Sequence, residues 1–263
     1  MHITVLGSGT SIGVPYLNCP CEVCTSTNPK DKRLRASIRI DIDGNCFIVD
    51  CGPDFRQQML LHPTAHIDAV LLTHEHYDHV SGLDDLRPFG DVNIFAEKNV
   101  IKAIKRSMPY CFPKRGLSLL GKKLYPGVPL LSVFPINTQP FEVNGIPIQP
   151  IRCYHHELPI LGFRIQNFAY LTDISSIDDS EVAKVMDVDV LIIDALRITY
   201  HFSHFTLQQA QEFAARVRAK RVYFTHLSHQ IGLHEQVQAS LPENQFLCYD
   251  GMEIEVEGLK SKV

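Results

Sequence analysis

Apolar residues recur along this chain in short runs, not in one long periodic stretch. Ile3-Thr-Val-Leu6 reads as an opening strand. Ser37-Ile-Arg-Ile-Asp-Ile42 alternates apolar with polar side chains, Cys46-Phe-Ile-Val49 is apolar, and Asp43-Gly-Asn45 lies between them, which predicts a hairpin. Ala69-Val-Leu-Leu72 predicts a short buried strand, and strand-like runs follow at Ile146–Ile151, Gly162–Ile165, Phe168–Leu171, Val188–Ile193, Arg221–Phe224 and within Gln245–Val256. Residues 97–107 read as helix, and Leu207–Ala219 as an amphipathic one. Residues 107–135 are rich in Pro and Gly and read as an irregular insertion. Short strands with interspersed helices predict an α/β architecture whose site is built on loops.

The run at 69–72 leads straight into Thr73-His-Glu-His-Tyr-Asp-His79, where three histidines and two carboxylates occupy six residues. Alternate side chains of a strand point the same way, so His74 and His76 can converge on one point. Asp78 and His79, after a bend, can serve a second point nearby. Imidazole and carboxylate are the donors that borderline divalent metals take. The bland alternative is a solvated histidine-rich loop; the His-x-His-x-Asp-His spacing after a buried strand weighs against it.

A second cluster, Cys19-Pro-Cys21-Glu-Val-Cys24, supplies three thiols, one donor short of a closed zinc site. His229, three residues after His226 in Thr225-His-Leu-Ser-His-Gln230, is a candidate fourth donor if a short turn aims the two histidines apart. Cys46, Cys111, Cys153 and Cys248 are scattered and read as small buried hydrophobes. The loop Gly7-Ser-Gly-Thr-Ser-Ile-Gly13 loosely resembles a dinucleotide fingerprint, but its third glycine comes one position late and a tight turn accounts for it better.

Composition bounds the picture without sharpening it. The chain has 263 residues, 45% hydrophobic and 21% charged, consistent with one globular domain over 1–263. A net charge of -4 argues against a nucleic-acid partner or an anionic membrane surface. No apolar run approaches the ~20 residues a bilayer requires. Met1–Leu6 lacks the features of a signal peptide, so the expected location is cytoplasmic, where clustered cysteines suggest metal over disulfides.

These motifs resemble the metallo-β-lactamase superfamily along nearly the whole chain. His74–His79 matches its metal motif, and Ile48-Val-Asp50-Cys-Gly52 is similar to the preceding strand end. Tyr170-Leu-Thr-Asp173 is similar to the strand whose aspartate bridges two metals, and Tyr223-Phe-Thr-His226 to the one delivering the last histidine. The resemblance implies an αββα sandwich of two mixed β-sheets with helices on the outer faces, and a dinuclear site of two zinc or manganese ions at one edge. Carried over by position, His74, His76 and a later histidine hold one ion. Asp78, His79 and His226 hold the other, and Asp173 bridges them. Both His155 and His156 are available as the later histidine; the phrasing His155-x-x-Leu-Pro-x-x-Gly162 is similar to relatives and favours His155. Within the superfamily, the cysteine loop, Thr225–Gln230 and Asp250–Ile254 are similar to the phosphoribosyl cyclic phosphate phosphodiesterases. That likeness implies one structural zinc on Cys19, Cys21, Cys24 and His229, and a homodimer.

Two adjacent divalent ions suit phosphodiester hydrolysis. The leaving alkoxide still needs a proton, which a histidine can supply near neutral pH. His204, just before the amphipathic helix, is similarly placed to a histidine of phosphodiesterase relatives; His201 is the competitor. The helix start is expected to offer free backbone N–H groups to a phosphate. Asp78 is expected both to bind metal and to orient the attacking hydroxide. The expected function is hydrolysis of a small cyclic or nucleotide-like phosphodiester. The alternatives are a transfer-RNA 3′-end endonuclease, similar through Asp50–Gln57 and His204 but without an evident basic arm here, a lactone or thioester hydrolase, and a metal-binding scaffold or substrate sensor without catalysis.

Overall fold

The computed structural model describes residues 1–112 and 127–257. Its first half supplies β1 (His2–Gly7), β2 (Ser37–Ile42), β3 (Asn45–Val49), β4 (Ala69–Leu71), β5 (Asp91–Ala96) and β6 (Leu130–Pro135). The second half supplies β7 (Phe141–Val143), β8 (Ile146–His155), β9 (Leu158–Ile165), β10 (Phe168–Leu171), β11 (Val190–Asp194), β12 (Arg221–Thr225), β13 (Gln245–Leu247) and β14 (Glu253–Glu255). The helices are α1 (Glu22–Thr25), α2 (Phe55–Leu61), α3 (Tyr77–Val80), α4 (Lys98–Ser107), α5 (Asp179–Val182), α6 (Leu207–Arg216) and α7 (His234–Ser240).

One seven-stranded sheet runs β14-β1-β2-β3-β4-β5-β6 and the other β13-β12-β11-β10-β9-β8-β7. Both mix parallel with antiparallel pairs. The β2–β3 hairpin closes through Asp43 (φ 49°) and Gly44 (φ 79°), the paired left-handed backbone of a tight two-residue turn. Ile38, Ile40, Phe47 and Val49 of the first sheet meet Phe163, Tyr170, Val190 and Ile192 of the second in the central core. The alternate residues also face apolar partners. Ile48, Val70 and Ile94 pack beside Phe55, Val100 and Ile104, while Leu191, Ile193 and Phe224 pack beside Ala210, Phe213 and Val217. Helices thus cover both outer faces, which is why the central strands are apolar on every residue. This is the α/β sandwich of two mixed sheets that the motifs imply.

Several elements depart from expectation. Most of the predicted insertion, 113–126, lies outside the described residues, but its end is ordered strand: β6 pairs in parallel with β5 from Asp91↔Leu130 to Ala96↔Pro135. Its prolines fit because β6 is an edge strand, where a missing N–H costs no ladder bond. The segment Gln245–Val256 divides between the sheets, β13 flanking β12 and β14 flanking β1. β4 stops at Leu71, so His74 and His76 converge from a loop and not from a strand. Among the described residues, no helix is long and apolar enough to cross a membrane.

Candidate active site

The ends of β3, β4, β10, β11 and β12 meet at one edge of the sandwich. Three strand ends turn abruptly there, with Asp50 (φ 63°), Asp173 (φ 55°) and His226 (φ 56°) all in the left-handed region. Non-glycine residues adopt that backbone at a cost, and it clusters at functional sites. The loop 73–79 is held against the β3 end by two close approaches. A Cβ on Gly52 would sit 1.9 Å from the Asp78 carbonyl oxygen, and one on Gly82 2.0 Å from the Gly52 oxygen. Cys51 N–H also donates to the His79 carbonyl at 2.7 Å.

Asp50 is fully buried and organises the histidines instead of joining them. It accepts from His79 Nδ1 at 2.7 Å and from the Thr73 backbone N–H at 2.9 Å. Thr73 Oγ1 lies 2.9 Å from Asp50 Oδ2 and 2.9 Å from His74 Nδ1, so the hydroxyl links His74 to the same carboxylate. His155 Nδ1 donates to the Ser203 carbonyl at 2.8 Å. Each bond leaves Nε2 for the interior of the cluster. The rings of His74 and His76 stand 4.5 Å apart, His76 and His155 5.1 Å, and His74 and His155 5.9 Å. His156, by contrast, is exposed on the β8–β9 turn with φ 56°. Of the two available histidines, His155 is the one facing this cluster.

On the other side Asp78, His79, Asp173 and His226 bring donor atoms within 4.8 Å of one another, all buried. Burial would raise both aspartates, but the neighbouring His79 and His226 outweigh it and keep both carboxyls well below the usual range. The demand for positive charge is mutual. Burial would depress His226, yet Asp173 and Asp78 lift it to about 8, while His74, buried among other imidazoles, falls well below its ordinary value. Protons do not satisfy this cluster. His79 Nε2 lies 3.0 Å from Asp78 and 3.1 Å from Asp173, and His226 Nε2 3.3 Å from Asp173, yet neither nitrogen has a hydrogen-bond partner, nor does His74 Nε2. Buried imidazole nitrogens converging on ionised carboxylates without bonding them suit divalent cations between them.

His204 flanks this centre, its ring 4.5 Å from His155 and 4.9 Å from His226. Its Nδ1 lies 3.0 Å from Oδ2 of Asp194, a fully buried carboxylate at the end of β11. Asp194 is absent from the sequence reading; its only signal is a carboxylate closing the apolar run Val190-Leu-Ile-Ile193. The start of α6 has fewer free N–H groups than expected. Thr206 N–H and Gln209 N–H are taken by a reciprocal cap between those residues, and Leu207 N–H donates to the Arg197 carbonyl. The other histidine of the segment, His201, accepts from Ser203 N–H at 3.3 Å.

The cysteine loop forms a separate cluster. Cys19, Cys21, Cys24 and His229 place donors within 4.8 Å of one another, with His229 Nδ1 3.4 Å from Cys19 Sγ and 3.3 Å from Cys21 Sγ. The contact with His229 lowers the Cys21 thiol to about 6, whereas burial raises Cys24 to about 11. A short 3₁₀ turn at His229–Ile231 aims His229 here, and His226 faces the carboxylates.

A model of the β-lactamase superfamily domain matches residues 45–227. The chain is 40% identical over its whole length to an octanoyltransferase of Porphyromonas gingivalis, and it spans about half (53%) of that curated relative. A solved diphosphatase of the PhnP family is 36% identical, superposes with a TM-score of 0.88, and is covered over 98% of its length by 97% of this chain. Human tRNase Z, short form, at 20% identity and a TM-score of 0.70, over 98% of this chain and all of that one, shares the fold.

Proposed function

Because the chain belongs to the β-lactamase superfamily domain family, and through its 36% identical full-length relative to the PhnP family within it, we propose that it is a dinuclear metal-dependent phosphodiesterase acting on small cyclic or nucleotide-like phosphodiesters. The observation that carries this reading is the His204–Asp194 pair standing beside the buried carboxylate–imidazole cluster. A thiolate leaving an acyl thioester needs no acid in that position, whereas an alkoxide leaving phosphorus does.

In this reading His74, His76 and His155 would hold one cation and Asp78, His79 and His226 the other, with Asp173 within reach of both sets. Such ions, when bound, neutralise phosphate charge and lower the pKa of water. Asp78 orients the attacking water. His204 donates a proton from Nε2 to the leaving oxygen, and Asp194 holds the ring by Nδ1 and balances its charge. Cys19, Cys21, Cys24 and His229 would hold a structural zinc, which would tie the loop after β1 to the segment after β12.

A second reading, hydrolysis of an acyl thioester or lactone, is supported by the octanoyltransferase relative, of which this chain matches about half. One screen separates the two. Bis(p-nitrophenyl) phosphate, cyclic ribose phosphates, an octanoyl thioester and a lactone are offered to wild type and His204→Ala. Cleavage of the cyclic ribose phosphates, whose alkoxide needs the proton, is expected to collapse in the variant, while bis(p-nitrophenyl) phosphate, whose nitrophenolate leaves largely unaided, reports diester cleavage as such and is affected far less. Thioester or lactone turnover without diester cleavage would overturn the reading.

A further inference from the structure

The wall of the site beyond His204 is made of residues with no part in binding cations. Between β11 and α6 the chain exposes Ile198, Tyr200 and Phe202 to 54%, 72% and 61%. Three large apolar side chains within five residues, at the mouth of a polar site, differ from apolar residues scattered singly over a surface. The loop that carries them is pinned. Arg197 donates to the Thr199 carbonyl at 3.1 Å, to the Tyr200 carbonyl at 2.8 Å and to Gln230 Oε1 at 2.7 Å.

Phe202 is fixed further by two imidazoles. Its ring stands edge to face with His156 at 5.3 Å and nearly parallel to His201 at 4.8 Å. Both partners border the acid. The His201 ring is 5.2 Å from His204, and His156 follows His155, whose ring is 4.5 Å from His204. A leaving oxygen protonated by His204 must lie against that ring. Phe202 packs on His201, which in turn flanks that ring, so it is the aromatic side chain one imidazole away from the acid.

We propose that Phe202, framed by His156 and His201, is a stacking wall that selects substrates whose leaving alcohol carries a nucleobase. The inference rests on the phosphodiester reading of the site, and it adds the substrate class. An exposed aromatic face held in place pays little ordering entropy when a base stacks on it, and stacking of this kind accepts any base. A bare sugar phosphate leaves the ring uncovered. An acyl chain would call for an enclosed apolar channel, and this wall is open, with imidazoles at its rim.

Calorimetric titration of the metal-loaded protein with AMP and with ribose 5-phosphate tests this directly. The two ligands share the phosphate, the 5′ oxygen and the ribose and differ in the base. AMP is expected to bind roughly 5- to 150-fold more tightly. Phe202→Ala and Phe202→Leu should bring that ratio to within about twofold without weakening ribose 5-phosphate, and Phe202→Trp should keep it. The leucine variant separates a stacking ring from mere apolar bulk, and a side chain this exposed can be replaced without endangering the fold. A wild-type ratio near one, no binding of AMP, or a ratio that survives Phe202→Ala would overturn the proposal. Hydrolysis of bis(p-nitrophenyl) phosphate is measured on the same samples. Base selectivity without diester cleavage sinks the reaction and leaves the wall, whereas cleavage without base selectivity sinks only the wall.

Discussion

Replacing Asp194 by Asn tests whether the buried carboxylate acts through His204. The change keeps shape and removes charge. Asp194 Oδ2 is 3.0 Å from His204 Nδ1 and the residue is completely buried, so water cannot substitute for the lost bond. Burial raises this carboxyl, and His204 and His226 draw it back, so the pair is linked by charge as well as by a hydrogen bond. A hydrogen bond to a charged group is worth about 1.5–3 kcal/mol, or roughly 10- to 150-fold in rate if all of it is felt in the transition state. That reaches only the lower end of the roughly 10²- to 10⁴-fold that a general acid contributes, as expected of a residue that acts through the acid and is not the acid itself. The loss should depend on the leaving group. An alkyl diester needs the proton and should lose the full factor in kcat/KM, while a nitrophenolate leaves largely unaided and should lose no more than about fivefold. In a His204→Ala background, Asp194→Asn should cost little more, because the two residues act as a unit. Elemental analysis must show unchanged metal content, since Asp194 also lies 3.8 Å from His226 Nδ1. Equal losses for both leaving groups at unchanged metal content would refute the positioning role.

Three further outcomes are expected. His229→Ala should lose about one metal ion per chain by elemental analysis and lower the diesterase activity without abolishing it, because its donors are distinct from the other cluster but are joined to it through the backbone of residues 226–229; no loss of metal would separate His229 from the cysteine loop. Gly82→Ala should lower the melting temperature and the bound metal together, since its Cβ would sit 2.0 Å from the Gly52 oxygen and push loop 73–79 off the β3 end; relieving the overlap costs about 1–3 kcal/mol, and an unchanged thermal scan would contradict that close approach. His234, buried beside Arg33, is held down to about 4 by burial and then by that guanidinium, below its ordinary value near 6.5. Between those values the unfolded chain binds more protons than the folded one. Stability should therefore be complete above pH ~6.5 and fall by up to about 3 kcal/mol as pH drops toward ~4, and denaturant titrations of His234→Gln should lack that share of the slope.

Much of the fold is legible because the sandwich imposes simple patterns. Alternation in β2 marks a hairpin, and continuous apolar runs in β4, β10, β11 and β12 mark strands covered on both faces. β5 alternates in the same way, with Val92, Ile94 and Ala96 all fully buried, but it runs directly into the residues 97–107 that read as helix, and the reading passes over it. β6 is hidden by flanking prolines that an edge strand tolerates. At the site, the donors are legible where they crowd together, as in His74–His79. Their supports are not. Thr73, Asp194 and the Ser203 carbonyl act through single bonds to one ring nitrogen each, and no spacing rule announces a partner brought 48 residues along the chain, as Ser203 is to His155.

The two histidines at 226 and 229 show why local geometry, and not periodicity, decides which cluster a side chain joins. β12 ends at Thr225, and His226 leaves it in a left-handed conformation, which turns its ring onto Asp173 and Asp78. Three residues later the 3₁₀ turn capped by Ser228 presents His229 to the cysteines of the loop after β1. Leu227 lies between them, fully buried, and its N–H donates to the Ser8 carbonyl while its own carbonyl accepts from Thr10 N–H. That double bond to the β1 loop fixes both turns at once. A left-handed non-glycine residue costs about 1–3 kcal/mol, and it persists only where the surroundings hold it from both sides. Here the buried anchor at Leu227 does so, coupling the cysteine cluster to the orientation of His226. Disturbing the loop after β1 should therefore reach the carboxylate–imidazole cluster through the backbone of residues 226–229, without any direct contact between the two sets of donors.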